Sequence, residues 1–214
     1  MRKFDGIIFD VDGTLTSSNT LIFESFRHIT KKHLNKNITD EEIVALFGPT
    51  EEQILRDWFK EKSDTVIKDY FEFYESNHHL ADIYPGMKEI LEYIKSKDVF
   101  IGIFTGKGRR ATEISLKILG IFQFFDLIVS GDEVKNHKPS GEGVNLFIEH
   151  FNLDKEKVLL IGDAPVDILA AREAGIKVAS VMWDCYAVDR VKQLNSDYYF
   201  NTVVELETFI KSSI

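Results

Sequence analysis

Two aspartates one residue apart follow an apolar run near the start of the chain. Asp10 and Asp12 come directly after residues 4–9, a run that is typical of a buried strand. At a strand end, one carboxylate can attack a substrate while the other moves a proton. A polar turn capping the strand is the alternative interpretation. A calcium loop is excluded, because its sixth and twelfth positions hold Leu15 and Leu21 instead of glycine and glutamate.

Polar groups also follow two later apolar runs. Thr105 and Gly106 close residues 99–104, and a hydroxyl beside an uncrowded backbone amide can hold a phosphoryl oxygen. Lys138, which Pro139 follows, can place a positive charge against an anion. Taken singly, Thr105 is typical of a turn or helix cap and Lys138 of a solvated surface. Together they indicate a site for an anionic group.

A second pair of acids follows another apolar run. Asp163 comes after residues 157–161, and Asp167 lies about one helical turn further on. Carboxylates placed in this way suit a hard cation that is bound by oxygen ligands. Helix N-capping is the alternative role for each of them.

The elements that must position these groups alternate after residue 84. Strand-like runs at 99–104, 127–129, 157–161 and 177–181 are separated by amphipathic helical stretches, and a weaker strand at 198–200 precedes a last helix around 203–210. Such alternation predicts an α/β fold, a Rossmann-like doubly wound parallel sheet with helices on both faces.

Residues 16–83 have a different pattern. Four stretches with helical spacing of apolar residues and no convincing strand predict an α-helical bundle. Because the first strand precedes this bundle and the other strands follow it, we expect a core domain made of residues 1–15 and 84–214 and an inserted cap made of residues 16–83. Ligands bind at the carboxyl ends of the strands in open α/β sheets, so the cap should lie there.

Composition limits the function classes. The apolar share of 44% and charged share of 29% are ordinary for a globular protein. A formal net charge of -9 argues against nucleic acid as a partner. The single Cys185 excludes an internal disulfide, and we expect a cytoplasmic protein without membrane attachment, because no signal peptide or long apolar span is found. Both a monomer and a homodimer are compatible with the sequence.

Four segments, FDVDGTL, IFTGK, NHKP and IGDAPVDI, resemble the four motifs of the haloacid dehalogenase superfamily. The resemblance is specific to its phosphatases with a helical cap after the first motif. It implies that Asp10 is the nucleophile that forms an aspartyl-phosphate and that Asp12 is the general acid and base. Dehalogenases lack an acid at the second position, because a halide leaves without a proton.

The resemblance also implies a Mg²⁺ cofactor. Its ligands would be the Asp10 carboxylate, the Asp12 backbone carbonyl and Asp163, with Asp167 ligating directly or through water. Thr105, Gly106 and Lys138 would hold the transferring phosphoryl group. The sequence departs from the family pattern at two positions. It has Ala164 where Ser or Thr is common and Val166 where Asn is common. These changes affect the hydrogen bonds around the metal ligands rather than the ligands themselves.

Substrate specificity should come from the cap. The segment Phe47, Gly48, Pro49 and Thr50 resembles the family's substrate loop, although a plain interhelical turn has the same composition. Ser17, Ser18 and Asn19 lie where the chain enters the cap and are hinge or substrate-contact candidates. Lys107, Arg109 and Arg110 follow Thr105 and would add positive charge near the mouth of the site.

These observations leave three functions. The first is a Mg²⁺-dependent phosphoric monoester hydrolase that acts on a small phosphorylated metabolite, with a phosphoglycolate-like ester or pyrophosphate as the family analogies. The second is a phosphotransferase of the sugar-phosphate mutase type, which would keep the same motif residues. The third is a phosphate-binding protein without catalysis, since a fold does not by itself imply a function.

Overall fold

The computed structural model describes residues 2–214. The strands of this region are, in chain order, β1 (Gly6–Phe9), β2 (Thr16–Ser17), β3 (Asp82–Ile83), β4 (Phe100–Phe104), β5 (Leu127–Val129), β6 (Val158–Gly162), β7 (Lys177–Val181) and β8 (Tyr198–Phe200). The α-helices are α1 (Asn19–Leu34), α2 (Asp40–Val44), α3 (Glu51–Phe59), α4 (Ser63–Ser76), α5 (Met87–Lys95), α6 (Arg109–Ile118), α7 (Glu142–Phe151), α8 (Pro165–Ala174), α9 (Val188–Leu194) and α10 (Val203–Ser213).

Six strands form one parallel sheet in the order β5-β4-β1-β6-β7-β8. The chain runs outward from β1 to β4 and β5, and then returns to the other side of β1 for β6, β7 and β8. This doubly wound topology confirms the predicted fold class. Its switch point lies at β1, where the loops that follow β1, β4 and β6 leave the sheet in different directions and open a crevice for a ligand.

Helices cover both faces of the sheet, because alternate side chains of each strand point to opposite sides. Ile7 and Phe9 of β1 pack into one apolar cluster, whereas Ile8 packs into another. The first cluster contains residues of α5 and α10, and the second contains residues of α7, α8 and α9. Every residue of β1 is buried, as expected for a central strand of a parallel sheet.

The helices α1 to α4 lie between β2 and β3 in the chain, and most residues of a third apolar cluster belong to them. Phe26 of α1 packs edge-on against Tyr70 of α4, with ring centroids 5.2 Å apart. Ala111 and Ile114 of α6 belong to the same cluster. The insertion therefore shares part of its core with the α/β domain, and its existence as a separate cap of residues 16–83 stays a prediction.

The element bounds differ from the sequence pattern in a few places. The strands β4 and β6 begin at Phe100 and Val158, one residue later than predicted, and α10 continues to Ser213. Lys157 is not part of β6, because its backbone N–H closes a tight turn onto Asp154 O at 2.9 Å. The two-residue strands β2 and β3, which pair antiparallel where the chain enters and leaves the insertion, were not predicted. They are too short to show an apolar alternation.

Within residues 2–214, no helix combines the length and the apolar character that crossing a bilayer requires.

Candidate active site

The register of the sheet brings three predicted segments to one edge. Phe9 lies opposite Ile103 of β4 and Ile161 of β6, so Asp10 emerges beside the ends of both neighbouring strands. The backbone N–H of Asp10 donates to Ile161 O at 2.9 Å and extends the ladder by one residue. Rigid backbone therefore holds the first aspartate at the switch point of the sheet.

The loop after β1 turns back tightly on itself. The backbone N–H groups of Leu15 and Thr16 both donate to Val11 O, at 2.9 and 3.0 Å. Gly13 has φ +80°, and a Cβ atom at this position would lie 2.6 Å from Asp163 Oδ2. Glycine is required here both for the left-handed backbone and for the close approach of the Asp163 carboxylate.

Three acids and one lysine converge above β1 and β6. Carboxylate oxygens of Asp10, Asp163 and Asp167 all lie within 4.8 Å of one another. Lys138 Nζ donates to Asp10 Oδ1 at 2.8 Å and to Asp167 Oδ1 at 2.6 Å. Each of the four side chains is almost completely buried from solvent, so their charges act on one another with little screening.

Burial and repulsion shift the titration of this group. Burial raises the pKa of Asp10 to about 6; Lys138 opposes this shift, and the negative charge of Asp167 adds to it. The pKa of Asp163 is raised well above its ordinary value by burial and then by Asp10 and Asp167. Burial disfavours the charged form of Lys138, but Asp10 and Asp167 outweigh this effect and raise the pKa of its ammonium.

The acid cluster fits the divalent cation that the sequence motifs imply. Three carboxylates against one ammonium leave two negative charges in a buried site, and the donors are all oxygens, which Mg²⁺ prefers. Asp10, Asp163 and Asp167 would hold the ion. The Asp12 backbone carbonyl is a further ligand that the family motif implies. One further residue supports the cluster: Thr14 Oγ1 donates to Asp163 Oδ1 at 3.1 Å.

The phosphate-binding candidates surround this cluster. Thr105 and Gly106 directly follow β4 and line the same cavity as Asp10 and Lys138. The Thr105 hydroxyl oxygen accepts the Lys107 backbone N–H at 3.2 Å, which orders the turn. The Lys138–Pro139 peptide bond is cis. The predicted nucleophile, hydroxyl, backbone amide and lysine therefore lie around one space large enough for a phosphoryl group.

The Asp12 side chain has different surroundings. It is not part of the acid cluster, and it accepts a hydrogen bond from the Ser18 hydroxyl. Lys107 Nζ lies 3.2 Å from each of its two carboxylate oxygens. The sequence predicted Lys107 as added charge at the mouth of the site. The structure instead places it in the interior as the partner of Asp12, with its ammonium 5.2 Å from the centre of the Tyr74 ring.

Glu51, at the start of α3, links the insertion to this ion pair. Its Oε1 lies 3.4 Å from Lys107 Nζ, and its Oε2 accepts the Gly108 backbone N–H at 2.9 Å. Burial disfavours the charged form of Lys107, yet Asp12, Tyr74 and Glu51 together raise the pKa of its ammonium well above the ordinary value. Sequence reasoning missed Glu51, because an acid in the first turn of a helix is common for local reasons.

A cavity of about 350 Å³ lies between the insertion and the strand ends. Phe47, Gly48 and Pro49 line it, as expected for a substrate loop. Thr50 is buried, and its hydroxyl oxygen instead accepts the Gln53 backbone N–H at 3.4 Å and caps α3. Asn19 lines the cavity and donates to Asp184 Oδ2 at 3.3 Å.

Arg109 and Arg110 do not line this cavity. Arg109 pairs with Glu133 at 2.8 Å, and the Arg110 guanidinium lies 4.0 Å from the centre of the Phe71 ring. Neither arginine therefore adds charge at the mouth of the site in the way the sequence suggested.

The chemistry open to this arrangement is limited and specific. A buried carboxylate held by a lysine can attack an electrophile that carries negative charge, because the lysine reduces the repulsion between them. A second carboxylate nearby, outside the acid cluster, can exchange protons with a leaving group or with water. The combination suits the transfer of a phosphoryl group.

Comparison with known proteins gives a consistent result. The family model described as haloacid dehalogenase-like hydrolase matches residues 7–181. A protein named pyrophosphatase PpaX from Oceanobacillus iheyensis is 30% identical over 208 residues, which cover 97% of this chain and 97% of that protein.

Two solved structures have closely similar folds. A protein named as a predicted phosphoglycolate phosphatase, from Haemophilus somnus, has a TM-score of 0.84 and 24% identity, covering 98% of this chain and 99% of that one. A protein named as a candidate beta-phosphoglucomutase, from Thermotoga maritima, has a TM-score of 0.79 and 26% identity, covering 99% and 100%.

Proposed function

The chain belongs to the haloacid dehalogenase-like hydrolases, and we propose that it is a phosphatase that releases phosphate from a small phosphorylated substrate through an aspartyl-phosphate on Asp10. The observation that carries this proposal is the contact between Lys138 Nζ and Asp10 Oδ1, 2.8 Å long, at the floor of a cavity beside two further acids. The similarity to pyrophosphatases and to phosphatase structures supports the same reaction class.

In the first step, a carboxylate oxygen of Asp10 attacks phosphorus, and the bond between phosphorus and the leaving oxygen breaks. Lys138 offsets the charge on the phosphoryl oxygens, while the Thr105 hydroxyl and the Gly106 backbone amide orient them. Asp12 donates a proton to the leaving oxygen, which departs as an alcohol or, from an anhydride, as phosphate. The products are an aspartyl-phosphate and an ionised Asp12.

In the second step, Asp12 accepts a proton from a water molecule as its oxygen attacks the aspartyl-phosphate. The bond between phosphorus and Asp10 breaks, which returns the Asp10 carboxylate and releases inorganic phosphate. Asp12 is protonated again and ready for the next turnover. Asp10, Asp163, Asp167 and the Asp12 backbone carbonyl would hold Mg²⁺, which when bound would supply positive charge that reduces the repulsion between the nucleophile and the phosphoryl group.

The test is phosphate release with Mg²⁺ from a panel of phosphoglycolate, pyrophosphate, hexose phosphates and nucleotides, with chelator and Asp10→Asn as controls. The proposal predicts release that depends on both Mg²⁺ and Asp10. If Asp10→Asn hydrolyses the preferred compound as fast as the wild type, the nucleophile is misassigned. If the protein binds Mg²⁺ but releases phosphate from no compound, a binding role without catalysis is favoured.

A phosphotransferase of the sugar-phosphate mutase type is the second candidate, favoured by the likeness to the Thermotoga maritima structure. Such an enzyme passes the phosphoryl group from Asp10 to another sugar hydroxyl instead of to water. Phosphorus NMR with a hexose 1-phosphate separates the two functions. A hexose 6-phosphate without inorganic phosphate indicates the mutase, and inorganic phosphate indicates the phosphatase.

A further inference from the structure

The cavity above the acid cluster has an uneven distribution of polar groups. Its floor carries Asp10, Asp12, Lys138 and the other charged groups of the site, whereas its walls are largely apolar. The wall residues contributed by the insertion are Ile22 and Phe26 of α1, Val44 at the end of α2, Phe47 of the following loop, and Ile54 of α3. Tyr186, from the loop after β7, completes the wall on the other side. A volume of about 350 Å³ is at the small end of the range for ligand pockets.

The apolar wall is also where exposed hydrophobic surface is concentrated. Of the eleven large hydrophobic side chains of residues 2–214 that are well exposed to solvent, four line this single cavity, namely Val44, Phe47, Val166 and Tyr186. Phe47 is 46% exposed and Tyr186 is 66% exposed, although both side chains carry large aromatic rings. A cluster of such side chains around a cavity indicates a ligand that covers them.

Positive charge on the walls is lacking. Among residues 2–214, the basic side chains that line the cavity are Lys107 and Lys138. Lys107 is paired with Asp12 and Glu51, and Lys138 with Asp10 and Asp167. Among the described residues that line the cavity, no lysine, arginine or histidine is therefore left unpaired to face a second anionic group of a substrate.

The polar atoms of the walls are few and mostly engaged. Asn19 donates its side-chain amide to Asp184, and Glu51 is directed to Lys107 and Gly108. A sugar would place several hydroxyls against these walls, and each hydroxyl that is buried without a partner loses the hydrogen bonds that it makes with water. A carboxylate or a second phosphate would lose its hydration without gaining a cation, which costs more.

We propose that the substrate is the phosphate monoester of a compact, uncharged and largely apolar alcohol. Its organic part fills the cavity against Phe47, Val44 and Tyr186, while its phosphoryl group meets Asp10. This inference rests on the proposed phosphatase function and names the substrate class for it. It separates this chain from relatives that are named for pyrophosphate, because the leaving group of pyrophosphate is itself a multiply charged anion.

The test compares kcat/KM for benzyl phosphate, ethyl phosphate, phosphoglycolate and pyrophosphate in saturating Mg²⁺. The first three release alkoxide-type leaving groups, so their differences report mainly on binding of the organic part. We expect benzyl phosphate to exceed phosphoglycolate and pyrophosphate by at least about tenfold, the scale on which a hydrophobic pocket discriminates. Phe47→Ala should lower kcat/KM for benzyl phosphate by about tenfold and leave ethyl phosphate nearly unchanged.

Two further variants make the test specific. Val44→Lys places a cation on the exposed end of α2, and it should raise kcat/KM for pyrophosphate while lowering that for benzyl phosphate. Val204→Ala, at a 68% exposed position on α10 away from the cavity, is the matched control and should change neither.

A wild-type preference for pyrophosphate or phosphoglycolate over benzyl phosphate overturns the substrate class but leaves the phosphatase function intact. An unchanged ratio of benzyl to ethyl phosphate in Phe47→Ala also overturns it. Absence of phosphate release from all four compounds, when a hexose phosphate or a nucleotide is hydrolysed, overturns the substrate class alone; absence of release from these compounds as well contradicts the phosphatase function itself.

Discussion

Asp10 and Asp12 are two residues apart, yet their surroundings separate their chemistry. Asp10 is buried between Lys138 and two other carboxylates, whereas the Asp12 side chain lies outside this cluster and contacts Ser18 and Lys107. A nucleophile must stay at a fixed position, while a proton carrier must reach both the leaving group and water. The geometry therefore favours Asp10 for attack on phosphorus and Asp12 for proton transfer.

Replacing Asp12 by Asn should slow turnover of benzyl phosphate by about 10²–10⁴-fold, because its alkoxide leaving group needs a proton. p-Nitrophenyl phosphate has a good leaving group, so its first step should survive in Asp12→Asn while hydrolysis of the aspartyl-phosphate slows. Rapid mixing should then show a burst of nitrophenol that equals the enzyme concentration. Wild-type turnover of benzyl phosphate by Asp12→Asn would remove Asp12 from the mechanism.

The sequence predicted which acids and which lysine lie close together, but it did not predict all of the residues that contact them. Asp10 and Asp163 lie at the ends of apolar strand-like runs, and Lys138 follows the run 127–129 after the segment 130–137; the ends of parallel strands share one edge of a sheet. Thr14 and Glu51 could not be found in this way. Their contacts with Asp163 and Lys107 depend on the path of a turn and on the placement of a helix, and neither leaves a periodic pattern in the sequence.

At the level of secondary-structure elements, the start of α3 is attached to the start of α6. Glu51 accepts the Gly108 N–H and lies beside Lys107, which in turn contacts Asp12. The inserted helices and Asp12, the carboxylate that we propose transfers protons, are therefore connected through the side chains of Glu51 and Lys107. A change in the position of α3 should therefore change the position of the Asp12 side chain.

We expect Glu51→Ala to lower kcat by about tenfold or more, because it leaves the buried Gly108 N–H without an acceptor and Lys107 with one carboxylate fewer. Glu51→Gln restores the acceptor but not the charge. Glu51→Gln should therefore recover the thermal stability of the wild type but only part of its kcat. A simple packing role for Glu51 does not predict this difference between stability and kcat. Glu52→Ala removes the neighbouring, more exposed acid and is the control. Equal kcat values for Glu51→Ala and Glu52→Ala would refute the connection.

The junction between α4 and α6 contains a buried histidine. His78 Nε2 lies 3.0 Å from Ser115 Oγ, which is also 2.8 Å from the Tyr74 hydroxyl. Burial, and then the nearby charge of Lys107, lower the pKa of His78 below its ordinary value of 6.5. The unfolded chain therefore takes up this proton at a higher pH than the native protein does.

From this sign, the contribution of His78 to the free energy of unfolding should decrease as the pH falls below about 6.5, where this histidine binds a proton more readily in the unfolded chain than in the native protein. His78→Gln cannot titrate, so the stability difference between wild type and this variant should narrow between pH 7.5 and 5.5. Urea unfolding at several pH values measures this stability difference. The control is His79→Gln, which changes the exposed neighbouring histidine. A stability difference for His78→Gln that is independent of pH would contradict the assignment.

On the scale of the whole molecule, the site costs stability. Three buried carboxylates and one ammonium leave uncompensated negative charge, and burial together with repulsion raises the pKa of Asp163 well above its usual range. A fold that accepts this cost for a reaction is expected to become more stable when one of the charges is removed. The same change should weaken binding of a divalent cation.

Asp163→Asn should therefore raise the melting temperature that is measured in the presence of chelator. It should also abolish most of the dependence of the melting temperature on Mg²⁺. For the wild type, Mg²⁺ at a hundred times its Kd should add about 2.7 kcal/mol, or roughly 5–10 °C for a chain of this size. Calorimetry with and without Mg²⁺ checks both parts. Asp189→Asn, at an exposed position on α9, serves as the control. A full Mg²⁺ shift in Asp163→Asn would exclude this residue as a ligand.

More of the overall fold than of the cavity could be predicted from the sequence. Alternating strands and helices after residue 84 indicated the doubly wound sheet, and the position of the helical segment after β1 indicated an insertion near the strand ends. The composition of the cavity walls could not be predicted. Ile22, Phe47 and Tyr186 come from distant parts of the chain, and their apolar character is equally compatible with a helical core.

The measurement that tests the central claim most directly is the location of the phosphoryl group during turnover. Enzyme is mixed with Mg²⁺ and excess p-nitrophenyl phosphate, quenched in acid within the first turnover, digested and examined by mass spectrometry. We expect the phosphate on Asp10, at increased occupancy in Asp12→Asn, where the second step is slow. Phosphate on another residue, or steady release of inorganic phosphate by Asp10→Asn at the wild-type rate, would contradict the aspartyl-phosphate mechanism.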